Sequence, residues 1–190
     1  MDAECGSATD AKPDGALILA LQGDDRVAVR AVLATAVRRW RARGLTVLGT
    51  VEVLPDAGAP DDVLLCDLAT GLTHPLTQHL GPGASGCTLD LAGLTAACAG
   101  VEAAIADFLA QPKPKDAVVV LSKFGRQEAH GRGLADAFAA AVAAGLPILT
   151  SVSPLFRDAW IDFAGDFARF APVHDQIVEA WLERDPIRLT

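Results

Sequence analysis

Five consecutive apolar residues, Ala117-Val118-Val119-Val120-Leu121, constrain this chain more than any other feature. A strand presents successive side chains to opposite faces, so a run that is apolar at every position needs cover on both. That demand is met by a parallel sheet whose connecting helices lie above and below it. The run at 16–21, Ala16-Leu17-Ile18-Leu19-Ala20-Leu21, reads as a second strand of this kind. A helical pattern follows it to Arg43, with Val29, Val32, Leu33, Ala36, Val37 and Trp40 at i, i+3, i+4 spacing. Asp24 and Asp25 at its start, arginines at its end and Gly44 beyond match the helix dipole and a glycine stop.

The rest of the chain keeps this rhythm. Strands are expected at 45–54, 117–121 and 146–152, and helices at 91–109, 134–144 and near 174–183. Asp90 is placed to cap the helix from Leu91. A tight turn at Ala69-Thr70-Gly71 joins short strands at 63–68 and 72–76, a hairpin inserted into the parallel order. The tail holds a short segment at 155–167. The expected fold is therefore α/β: a three-layer, mostly parallel sheet with helices on both faces and an inserted β-hairpin. Residues 1–15 are polar and acidic and read as a flexible lead-in without a secretory pattern, leaving 16–190 as one domain.

Composition narrows the function classes. A formal charge of −8 over 190 residues disfavours nucleic acid as a partner, because phosphate neutralisation needs a concentrated basic surface. No run of about 18 apolar residues suggests a membrane span. Cys5, Cys66, Cys87 and Cys98 show neither C-x-x-C pairing nor metal-finger spacing, so reduced thiols and a cytoplasmic location are expected. His74 and His79 flank Pro75 outside a helix, a poor metal pair, and no catalytic triad pattern is found.

Ligands of such sheets bind beyond the carboxyl ends of the strands. The first loop there, Gln22-Gly23-Asp24-Asp25-Arg26, lacks the lysine and second glycine of a phosphate loop, and its aspartates would repel phosphate. Arg26 and Arg30 offset part of that repulsion. The loop at 122–133 gathers Lys123, Arg126, His130 and Arg132 in an acidic chain, with Gly125, Gly131 and Gly133 to expose backbone N–H groups. This suits a tetrahedral oxyanion or phosphate. The alternative is a solvated loop in which Glu128 pairs with an arginine. Ser85, Cys87 and Thr88, in the glycine-rich loop at 81–90, are candidate supporting donors. Ser122 and Lys123 stand where a nucleotide hydrolase would place a magnesium-binding acid, which counts against hydrolysis.

Three segments carry a family resemblance: Asp67-Leu68-Ala69-Thr70-Gly71, Gly86-Cys87-Thr88-Leu89-Asp90 and the run from Ser122-Lys123-Phe124-Gly125-Arg126 through Leu134. Over about 16–182 the chain resembles the bacterial domain-of-unknown-function family 2478. The resemblance implies kinship with small P-loop nucleoside-triphosphatases and a link to molybdate handling. Without the phosphate-loop lysine and acidic magnesium ligand, triphosphatase activity does not carry over. The expected function is thus non-hydrolytic binding of molybdate or tungstate through Lys123, Arg126 and Arg132, with Ser85, Cys87 and Thr88 in support. No catalytic residue, metal site or cofactor beyond the bound anion is expected; the protein partner is a second copy of the chain or a protein of molybdenum handling. Two other readings stand beside it. One is a nucleotide-binding or phosphoryl-transfer enzyme with an unconventional phosphate site. The other is a partner-docking module using Trp160, Phe163, Phe167 and Phe170.

Overall fold

The computed structural model describes residues 16–55, 62–77, 89–112, 114 and 116–184. Its strands are β1 (Ile18–Gln22), β2 (Thr46–Val53), β3 (Leu64–Asp67), β4 (Thr73–Pro75), β5 (Ala117–Phe124), β6 (Ile148–Val152) and β7 (Ala168–Pro172). Its helices are α1 (Arg26–Ala42), α2 (Leu91–Leu109), α3 (Ala135–Ala143), α4 (Arg157–Ala164) and α5 (Asp175–Arg184). The sheet order is β4-β3-β2-β5-β6-β1-β7. From β2 to β7 every pairing is parallel, and the β3–β4 hairpin adds antiparallel strands at one edge.

The two faces of β5 explain the layering. Ala117, Val119 and Leu121 join a buried cluster with Leu94, Val101 and Phe108 of α2, Phe138 of α3 and Trp160 of α4. Val118 and Val120 join a second cluster with Leu33, Val37 and Trp40 of α1 and Val178 and Trp181 of α5. The apolar run is thus covered on both sides, as its composition requires. α2 is long and apolar enough, by length and composition, to cross a membrane. The sequence reading, with no such span, did not anticipate this; here the helix lays its buried stripe on the sheet.

Two elements differ from expectation. β5 continues through Ser122, Lys123 and Phe124, which were read as loop. Its register against β6 shifts between Leu121 and Phe124, and there the Thr150 hydroxyl donates to the Leu121 carbonyl at 2.6 Å. The polar residues Ser122 and Lys123 hid a strand that neighbouring pairing sustains. β7 was not expected at all. Its alanines and Arg169 have little strand preference of their own; pairing with β1 specifies it. The four tail aromatics also divide. Trp160 is buried against Phe124 and Phe138, Phe170 lies half-buried under the Arg157 guanidinium, and Phe163 and Phe167 remain 39% and 56% exposed.

Candidate functional site

The carboxyl ends of β1, β2, β5 and β6 surround a cavity of about 310 Å³. Arg26 and Arg30 of α1 face it from one side and Lys123 of β5 from another, with Ser122, Ser151 and Ser153 on its wall. Glu52, near the end of β2, sits between the cations. Its side chain is 6% exposed, with the Lys123 ammonium at 3.3 Å and the Arg30 guanidinium at 3.9 Å. Lys123 is 36% exposed, so its charge is open to solvent and to a ligand. Lys123 lies within the shift of β5 register, at a strand end, where α/β ligands bind.

The start of α1 is already filled. Asp25 caps it by accepting from the Val27 and Ala28 N–H groups at 2.8 and 3.1 Å. These are the donors a phosphate chain uses at a helix start, and here the chain's own carboxylate holds them. The loop after β5 repeats the device. Glu128 is buried and accepts from the Gly125 N–H at 3.0 Å and the Leu134 N–H at 2.9 Å. The alternative pairing of Glu128 with an arginine is replaced by this backbone clamp, and two donors expected for an anion are spoken for. Gly133 permits the clamp: at φ +63° its missing Cβ would lie 2.2 Å from a Glu128 carboxylate oxygen.

Burial pushes the Glu128 carboxyl above the ordinary carboxylate range, against the pull of its backbone donors and of the Lys123 charge. The folded chain therefore takes up this proton at a higher pH than the unfolded chain does. As pH falls from 7 toward the ordinary carboxylate range, wild type should gain stability relative to Glu128→Gln, which cannot titrate there. Urea unfolding of both proteins across that interval measures the difference; a relative loss by wild type contradicts the assignment.

The predicted ligands fall in different places. Lys123 lines both the main cavity and a neighbouring one of about 180 Å³, which Arg126 also lines. Arg126 and Arg132 are exposed, and Arg132 borders neither cavity. Ser85, Cys87 and Thr88, with Cys5 and His79, lie outside the described residues. Asp90 caps α2 as expected, accepting from the Gly93 N–H at 2.9 Å. Cys66 and Cys98 are free thiols, and burial pushes the Cys98 thiol up. Among the described residues no group of three or more His, Cys, Asp or Glu side chains gathers to hold a metal. The sequence reading missed Glu52. Its signal was a lone carboxylate at the end of an otherwise largely apolar strand.

The mostly parallel sheet with helices on both faces, and a cavity at the carboxyl ends of its strands, define a three-layer α/β protein. The chain matches the model of the protein family of unknown function DUF2478 over residues 18–181 and belongs to that family. It superposes on the solution structure of a human cancer-related nucleoside triphosphatase with a TM-score of 0.62, covering 89% of this chain and 94% of that one. At 17% identity the likeness is one of fold. Over 115 residues, 60% of the chain, it is 43% identical to the molybdenum import ATP-binding protein ModC 2 of Bradyrhizobium diazoefficiens. The matched stretch spans 12% of that protein.

Proposed function

We propose that the chain binds a small tetrahedral oxyanion, molybdate or tungstate, in the cytoplasm and does not hydrolyse nucleotides. The observation that carries this reading is the cavity where Lys123, Arg26 and Arg30 converge beyond the strand ends. A nucleotide polyphosphate needs a run of backbone donors, and at the start of α1 those of Val27 and Ala28 are capped by Asp25. A compact dianion needs only local positive charge and a few hydroxyls, which Ser122, Ser151 and Ser153 supply. The name of the ModC 2 relative supports molybdenum as the chemistry.

In this reading Lys123 is the principal ligand and Arg126 approaches from the adjoining cavity. Arg132 adds to the positive field, and Ser85, Cys87 and Thr88 are supporting donors. The ligand is the anion itself, without a further cofactor, and the protein partner is a second copy of the chain or a component of molybdenum handling. Lys123→Ala should weaken tungstate binding by ten- to a hundredfold in calorimetric titration while leaving the fold intact, since Lys123 is 36% exposed. Unchanged affinity in that variant would remove Lys123 from the site. Magnesium-dependent ATP turnover lost in Lys123→Ala would instead establish the phosphoryl-transfer reading.

A further inference from the structure

Glu52 is an unexpected residue in a cationic cavity. Taking a carboxylate out of water is costly unless hydrogen bonds and charges compensate it. Glu52 is 6% exposed, yet its Oε1 accepts no hydrogen bond and has only the Lys123 ammonium at 3.3 Å, outside hydrogen-bonding geometry. Its other oxygen lies 3.9 Å from Arg30, at the limit of an ion pair. An ion pair selected for stability would be better made. This carboxylate is held loosely by Arg30 and Lys123, two of the three cations that line the cavity beside it.

We infer that Glu52 is the charge filter of the oxyanion site. The inference rests on the oxyanion reading above and names what limits its ligands. In the empty site Glu52 is the anion that Lys123 and Arg30 face, so an incoming ligand competes with it for both. It also fixes the charge the cavity tolerates. Arg26, Arg30 and Lys123 stand against Asp24 and Glu52, leaving a single net positive charge. A dianion that draws Lys123 toward itself leaves the site with one net negative charge. A nucleoside triphosphate, with about four negative charges, is left under-neutralised and close to a buried carboxylate, at a separation where unlike and like charges act strongly. Selectivity for compact dianions over polyphosphates follows from repulsion as much as from attraction.

Glu52→Gln keeps the volume and removes the charge; Glu52→Ala removes both. Tungstate and ATP are titrated into wild type and both variants by calorimetry, with circular dichroism to confirm folding. The charge filter predicts that tungstate binds about tenfold or more tightly in Glu52→Gln than in wild type, and that ATP affinity rises by a larger factor. Equal or weaker tungstate binding in a folded variant overturns it. So does failure of both variants to fold, which would make Glu52 a structural ion-pair partner. Tungstate binding in Glu52→Gln but not in wild type would make Glu52 a block to all anions and overturn both the filter and the oxyanion reading. Binding in neither sinks both.

Discussion

Gly49→Ala is expected to lower the stability of this chain by at least about 3 kcal/mol, a fall in Tm on the order of 10 °C. Gly49 lies within β2 at φ +102°, a backbone conformation that L side chains rarely adopt. An added Cβ would stand 2.0 Å from the Val120 carbonyl oxygen, in the neighbouring strand. Strain at such a position costs about 1–3 kcal/mol, and relieving the overlap requires β2 and β5 to part. The consequence reaches the site, because β2 carries Glu52 and β5 carries Lys123. Thermal unfolding followed by circular dichroism measures the loss. A change below about 1 kcal/mol would show that the two strands tolerate separation.

Trp160→Ala should cost about 3–5 kcal/mol, the range for emptying a buried large aromatic position. The indole is 1% exposed, with its centroid 4.9 Å from Phe124 and 5.7 Å from Phe138 in edge-on contacts. Phe124 follows Lys123 at the end of β5, so the cavity left by the indole would also loosen the backbone that holds the principal cation. Phe167→Ala is the matched comparison. That ring is 56% exposed, and its loss should change stability by no more than about 0.5 kcal/mol. Similar losses in denaturant unfolding of the two variants would contradict the division of these aromatics into core and surface.

The sequence made some of this legible and hid the rest for physical reasons. α1 and α2 were readable because their apolar residues recur at helical spacing and Asp25 and Asp90 cap them. β5 was readable as far as Leu121, where its composition is unambiguous; beyond that, pairing rather than composition keeps Ser122 to Phe124 extended. β7 was invisible because its one strand-favouring residue, Phe170, stands among alanine, arginine and proline, and β1 must be beside them to specify a strand. The richest misreading concerns donors. Gly125 and Gly133 suggested free N–H groups, but Glu128 folds back three residues to Gly125 and forward six to Leu134. Glu52 lies 71 positions before Lys123 in the chain, and only the adjacency of β2 and β5 brings them together.

The central claim is that the cavity at the strand ends takes a compact oxyanion. It is tested most directly by the thermal stability of the purified chain with molybdate, tungstate, sulfate, phosphate, ATP or GTP, each with and without magnesium. A ligand confined to the folded state and present at about a hundredfold its Kd adds about 2.7 kcal/mol, equivalent to about 5–10 °C for a chain of this size. The account predicts that shift with molybdate or tungstate, independent of magnesium and cut to roughly half or less in Lys123→Ala at the same ligand concentration. A shift produced by ATP or GTP alone, dependent on magnesium, would contradict it.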